Sequence, residues 1–322
     1  MNSLSKLPFL IIFLYFVNHT KAQQNLVLNP SFEDTLSYDW SLTGHNTLCE
    51  YWIEPGIGSS DYYSAIFPNG NTIYSYSCIS LENYGCASAF DGLASVGSYV
   101  EHDSNWIIEY IQGELSERLE KNSIYCFSAW ITLCDSSTSK INNIEVSFSQ
   151  NLIDFSGDVL LTPLPIQKKF SFSTDEIRTH NWQKVEYFFI ANGEEKFFII
   201  GELDDLSSRT ILSINGSHSL TFCSSCSIYQ FDKVSISKCN LESMIPNICT
   251  PNGDGINDLW TIPTENLSFE FQIFNRWGST VYSSRNGESS WDPHDHNDGV
   301  YFYVISFQES NNFLKGTIQV VH

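Results

Sequence analysis

The chain has 322 residues, with 37 acidic against 16 basic side chains and a formal net charge of -21. That surplus of carboxylates excludes nucleic acid as a partner, whose binding draws its affinity from Lys and Arg on phosphates, and it disfavours anionic lipid for the same reason. Aromatic residues reach 15% with only two Met, a balance that favours strands over helices.

The chain opens with an export signal. Lys6 supplies a positive charge, Leu7 to Val17 an apolar run, and Thr20-Lys21-Ala22 a small-residue end, with cleavage predicted after Ala22. A run of about eleven apolar residues is too short to cross a bilayer core as a helix. Removing residues 1–22 takes away Lys6 and Lys21 and moves the formal charge from -21 to -23. The remaining length of about 300 residues exceeds what one core usually organises and predicts two domains.

All nine cysteines (Cys49, Cys78, Cys86, Cys126, Cys134, Cys223, Cys226, Cys239 and Cys249) follow the signal. An oxidising compartment makes disulfides the expectation, with at least one cysteine left over and the connectivity open. Cys223-Ser-Ser-Cys226 has redox spacing without the βαβ context that chemistry needs. Zinc is disfavoured too, because the separation of Cys239 from Cys249 is not a knuckle spacing.

From Asn25 onward, short alternating runs are separated by Gly, Asn, Asp and Ser, the pattern of an all-β sandwich or barrel. Strands are predicted at Asn105 to Ile111, Ser123 to Leu133, Ile144 to Phe148, Val185 to Ile190, Lys196 to Ile200 and Tyr229 to Ile236. Glu114 to Lys121 is the one helix-like stretch, of a turn or two. A break at Lys238 to Ser243 places the domain boundary near Leu241, giving a passenger at 23–240 and a second unit at 241–322. That unit has its own strands at Phe269 to Phe274, Thr280 to Tyr282, Val300 to Phe307 and Gly316 to Val321.

Thr250 to Asp258, TPNGDGIND, packs turn-forming residues so densely that its side chains are left to cap turns or to hold a cation. FNRWGSTVY, SSWD and DGVYFYV follow in order. Together with IPNICTPNGDGINDLWTIP they resemble the gliding-motility-associated C-terminal domain, the type B sorting domain of the type IX secretion system in Bacteroidetes. The resemblance covers residues 245–322 and implies a small Ig-like β-sandwich, recognition by the export machinery at the outer membrane, and a secreted or outer-surface protein that passes through the periplasm. Cys249 stands where the family usually has an aromatic, and the loop Pro293 to Asn297 is shorter than usual. Asn252, Asp254, Asn257 and Asp258 offer oxygen ligands for calcium, although no Glu stands at the twelfth position, which is Pro263; Asx-turn capping is the competing reading. His294 and His296 with Asp292 or Asp298 read as a solvated hairpin loop rather than a metal site.

In the first unit, NLVLNPSFED ends in Glu33 and Asp34, and Asp232 lies within the last strand. First and last strands of a jelly roll often pair, which would bring Glu33 or Asp34 to Asp232, an approach that needs a cation or a proton. NPSFED, FDGLASVGSYV, the Glu109 to Leu133 stretch, INNIEVSFS, WQKVEYFFIANGEEKFFIIGEL and YQFDKVSI resemble galactose-binding-type jelly rolls, similar in pattern to carbohydrate-binding modules. That resemblance implies a glycan ligand and a structural calcium held by Glu33 and Asp232, with Lys233 standing where many relatives carry a second Asp. Sugar binding needs exposed rings beside polar groups, and Trp40, Trp52, Tyr62, Tyr63 and Trp106 are the ring candidates. Asn215 to Ser217 reads as a turn.

The sequence holds no nucleophile elbow, no zinc-protease motif and no phosphate loop. The expectation is therefore a secreted or cell-surface non-catalytic protein whose passenger binds glycan or another surface ligand. A structural or adhesive component without a pocket and a glycan-directed hydrolase are the alternatives, the last requiring two carboxylates about 5 to 10 Å apart in a cleft.

Overall fold

The computed structural model describes residues 24–35, 49–56, 58, 60–64, 86–102, 108–154, 168–203, 210–214, 226–263, 266–285, 287–310 and 312–322. The predicted signal peptide (1–22), Trp40, Trp106 and the turn predicted at Asn215 to Ser217 lie outside the described residues.

The described residues form an all-β protein. Its first twelve strands are β1 (Trp52–Ile53), β2 (Asp61–Ser64), β3 (Ala94–His102), β4 (Ile111–Glu114), β5 (Ile124–Leu133), β6 (Ser139–Ile141), β7 (Asn143–Ser149), β8 (Lys168–Ser173), β9 (Gln183–Ile190), β10 (Phe197–Gly201), β11 (Ile211–Ser213) and β12 (Cys226–Lys238). They make two five-stranded sheets, in the orders β1-β4-β10-β7-β8 and β2-β3-β12-β5-β9, with β11-β6 as a separate pair. Alternation drives this packing. In β5, Tyr125, Phe127, Ala129 and Ile131 point inward and meet Val146, Phe148, Phe170 and Phe198 of the facing sheet.

The first segment closes the sandwich against its last strand. Leu26 N donates to Ile236 O (2.8 Å), Val234 N to Pro30 O (2.8 Å), and the Asn25 side chain donates to Val234 O and accepts from Ile236 N. On its other side, Ser116 N donates to Leu26 O and Leu28 N to Glu114 O.

Two predicted elements differ. Of the strand predicted at Asn105 to Ile111, residues 105–107 lie outside the described residues, 108–110 are not strand, and β4 begins at Ile111. Glu114 to Lys121 is extended rather than helical, because Leu115 N donates to Lys196 O and Leu119 N to Glu195 O, so distant carbonyls take the N–H groups a helix would use.

After a 3-10 turn at Leu241–Ser243 come β13 (Ile248–Cys249), β14 (Trp260–Thr261), β15 (Phe269–Phe274), β16 (Thr280–Ser283), β17 (Ser290–Trp291), β18 (Gly299–Phe307) and β19 (Phe313–Val320). They form the sheet β13-β19-β18-β15-β16, in which β13 runs parallel to β19, and the pair β14-β17. Trp260, Trp291, Phe271, Ile305 and Ile318 build this small Ig-like core. Ile190 of β9 joins it, with Ile124 and Phe188 packed alongside, and Asn312 Nδ2 donates to Asn122 O.

Cys86 pairs with Cys134, Cys126 pairs with Cys239, and Cys226 is disulfide-bonded. Cys249 is a buried thiol whose Sγ donates to Asn257 O (2.9 Å). The Cys126–Cys239 bridge spans 113 residues and staples β5 to the end of β12. Replacing both cysteines by Ser is expected to cost about 2–4 kcal/mol. The check is a lowered denaturant midpoint without reductant, alongside a Cys126–Cys239 cross-linked fragment in non-reducing peptide maps of the wild type.

Candidate functional site

Three of the predicted sugar-stacking rings are buried rather than exposed. Trp52 is in the core, its ring centroid 4.7 Å from Phe32 and 5.4 Å from Phe198, with Nε1 donating to Asn29 O. Tyr62 faces the same core. Tyr63, on the opposite face of β2, is covered in a cluster with Tyr99, Ile228 and the Cys86–Cys134 bridge. The sheet has a second burying layer there, so strand alternation does not expose the ring.

The ring that is exposed is the neighbour of Trp52. Tyr51 is 43% exposed and has φ +69°, a left-handed backbone that strains an aromatic residue. Its loop is fixed from below by Asn29. The Asn29 Nδ2 donates to Asp34 O (2.8 Å) and Glu50 O (3.1 Å), and its Oδ1 accepts from Asp34 N (3.0 Å). The phenol donates to the Glu50 carboxylate, and that bond, with the charges of Glu50, Asp34 and Glu114, holds the hydroxyl above its ordinary value and protonated at neutral pH.

Beside Tyr51 lies a groove of about 270 Å³ lined by Ile53, Gln112, Glu114, Leu152 and Phe197. Gln112 is buried and holds both main-chain polar groups of Ile153, donating Nε2 to Ile153 O (2.9 Å) and accepting from Ile153 N (3.0 Å), beside Leu152 at the rim, 48% exposed. Glu114 pairs with Lys196 at 3.0 Å. Gly113 lets the strands close here, because a Cβ would lie 2.6 Å from the Phe198 ring and 2.9 Å from Trp52. The result is an apolar trough with a phenol and carboxylates at one end, the mixture that holds a polyhydroxyl ring by stacking and by its hydroxyls.

Glu33 and Asp232 each accept main-chain N–H groups of the 90–94 segment. Glu33 Oε1 accepts from Leu93 N (2.7 Å) and Ala94 N (2.8 Å). Asp232 Oδ2 accepts from Phe90 N (2.8 Å) and Asp91 N (2.9 Å), and Oδ1 from Lys233 N (2.6 Å). Burial pushes the Asp232 carboxyl up to about 7 against the pull of these donors. Gly92 has φ +68°, and a Cβ there would lie 2.3 Å from Glu33 Oε1. Calcium asks for six to eight oxygens with free lone pairs, and this donor set does not suit it.

The TPNGDGIND loop folds by side-chain capping. Asp258 accepts from Gly253 N and Gly255 N (both 2.7 Å), Asp254 Oδ1 from Ile256 N (2.8 Å), and Asn252 Oδ1 from Asp254 N (3.0 Å), while Asn257 takes φ +56°. The N–H donors of Gly253 and Gly255 hold the Asp258 carboxyl below its ordinary range. These oxygens accept amide hydrogens of their own loop, the Asx-turn pattern. Among the described residues, no three His, Cys, Asp or Glu side chains gather as a metal set, His294 and His296 included.

Two further buried carboxylates accept main-chain donors. Glu54, pushed up to about 7 by burial, accepts from Gly56 N, Tyr110 N and Ser60 Oγ, and Glu109 accepts from Tyr99 N (2.9 Å).

An all-β chain is what this architecture defines, and comparison with known proteins assigns its last quarter. Residues 243–320 match the CHU_C Type IX secretion signal domain. The chain therefore carries an export signal of the type IX system and is delivered to the cell surface or secreted. No curated protein matches it. Among solved structures, it is similar to the CBM22-1 xylan-binding domain of Paenibacillus barcinonensis Xyn10C, at 12% identity over 67% of this chain and 97% of that one, with a TM-score of 0.32. It is also similar to the K1 cleaved adhesin domain of Lys-gingipain from Porphyromonas gingivalis, at 10% identity over 65% and 96%, with a TM-score of 0.32. A third is the N-terminal cellulose-binding domain of Cellulomonas fimi β-1,4-glucanase C, at 12% over 48% and 86%, with a TM-score of 0.27. Among the described residues no helix is long and apolar enough to cross a membrane.

Replacing Tyr51 by Asn, which tolerates the left-handed backbone, is expected to raise the unfolding midpoint by about 2–4 °C while removing the exposed ring. A midpoint that falls contradicts the strain at this position. In the secretion signal domain, His322 Nδ1 lies 2.7 Å from Asp298 Oδ1; the pair raises the imidazole and lowers the carboxyl. The contribution of His322 is thus complete below 6.5, its unperturbed value, and is lost as pH rises through its higher folded value. That of Asp298 is present above 3.8 and lost as pH falls through its lower folded value. An NMR titration should place His322 above 6.5 in the wild type and return it towards 6.5 in Asp298→Asn.

Proposed function

We propose that this is a non-catalytic glycan-binding protein of the cell exterior, made as a signal peptide (1–22), a binding passenger (23–240) and a type IX sorting domain (241–322). The groove beside Tyr51 is the binding site. The observation that carries this reading is Tyr51 itself: a large ring, exposed, kept in a strained backbone by Asn29 and placed between carboxylates and an apolar wall. Strain of that kind persists where surrounding structure over-determines it and function uses it. The Glu50 carboxylate at the rim and the acidic chain favour neutral polysaccharide over uronic-acid polymers, whose charge they would repel. The non-catalytic reading is supported by Glu54 and Glu109, whose oxygens serve main-chain donors instead of a reaction centre.

Affinity electrophoresis of residues 23–322 in gels of neutral and acidic polysaccharides tests the site. Retardation by at least one neutral polymer is expected, with Tyr51→Ala weakening it by about tenfold and Phe197→Ala acting in the same direction. No retardation in any gel, or retardation indifferent to both variants, would refute the assignment. For export, deleting residues 243–322 should leave the passenger in the periplasm; unchanged delivery to the surface contradicts the sorting role.

A further inference from the structure

The junction of Glu33, Asp91 and Asp232 joins three parts of the chain: the first segment, the turn at 90–94 and β12. Five main-chain N–H groups point at the oxygens of Glu33 and Asp232. A divalent cation on the same lone pairs would lie against the positive ends of those N–H dipoles. Charge balance at the junction has a different source within the chain.

That source follows Asp232 directly. The register of β12 against β5 shifts between Asp232 and Ser235, and Lys233 takes φ +47° in the shift. Asn, Asp and Gly enter this region most readily, so a lysine gains nothing here from its backbone. What it brings is an ammonium. Lys233 Nζ lies 3.4 Å from Asp91 Oδ2 and 5.8 Å from the centroid of the Phe90 ring. Asp91 also accepts from Ser31 Oγ (3.2 Å), two residues before Glu33. The Phe90 ring beneath the ammonium stacks on Trp130 of β5, centroids 3.7 Å apart, and meets Trp182 edge-on at 6.2 Å. The lysine is therefore seated over a rigid aromatic base and beside a carboxylate that is fixed from the first segment.

We propose that Lys233 is the resident counter-ion of this junction, its tethered ammonium taking the place of a bound divalent cation, so that the passenger holds its first segment without calcium. One positive charge suffices because the five N–H dipoles already offset much of the charge on Glu33 and Asp232. A covalently attached counter-ion is also indifferent to chelators, whereas a metal-held junction is not.

The test is thermal unfolding of residues 23–322 in EGTA and in millimolar calcium, for the wild type, Lys233→Gln and Lys233→Arg. Gln has a straight chain like Lys and faces a similar backbone restraint, so it isolates the charge. The expected result is a wild-type midpoint that is the same in both buffers, a midpoint lowered by Lys233→Gln in both, and one kept near wild type by Lys233→Arg. A wild-type midpoint several degrees lower in EGTA, the shift that loss of a saturated ion site produces, would overturn the proposal. So would a Lys233→Gln protein as stable as wild type in EGTA.

Discussion

A β-sheet with an apolar face has to cover that face, and in this chain the requirement is met twice, by two sets of residues that scarcely mix. The passenger core runs from Leu26 to Ile236, and the second core from Leu241 to Val320. Their one overlap is the edge where Ile190, with Ile124 and Phe188 beside it, meets the later strands. The secretion signal domain thus draws its core largely from its own apolar residues. Joined to the passenger by a 3-10 turn, a small apolar contact and the hydrogen bond from Asn312 to Asn122 O, it contributes no residue to the groove on the β1-β4-β10 side.

The surplus of acid has a use inside the fold. Glu33, Glu54, Asp232, Asp254 and Asp258 accept main-chain N–H groups at turns and loops, Glu195 takes those of Asn192, Gly193 and Glu194, and Glu109 takes that of Tyr99 in β3. A protein built from short strands has many turns whose amides have no ladder partner, and a carboxylate satisfies two or three at once. The same habit explains why oxygens that look like cation ligands in sequence are already engaged in the fold.

The long strands were legible because period-two alternation is a local signal. β5, β7, β9, β15 and β18 fall within a residue or two of their predicted spans. Alternation says which residues share a face, not whether that face meets water, so Tyr62 and Tyr63, on opposite faces, are both buried. Trp52 and Tyr51 illustrate the same limit. The larger ring turned inward, and the exposed one depends on a left-handed backbone set by Asn29, more than twenty residues earlier. The Glu114 to Lys121 stretch was misread because the carbonyls that claim its amides lie at Leu26, Glu195 and Lys196. Two-residue strands such as β13, β14 and β17 carry no periodicity to read. The secretion signal, by contrast, was readable from ordered turn motifs, since Gly, Asn and Asp at fixed places record backbone geometry directly.

The separateness of the two cores is the claim on which the division into cargo and signal rests. It is tested most directly by producing residues 241–322 alone and recording an amide proton–nitrogen NMR spectrum with hydrogen exchange. The account predicts dispersed resonances and slowly exchanging amides in β15, β18 and β19. A collapsed spectrum without protected amides, recovered only when the passenger is present, would contradict it.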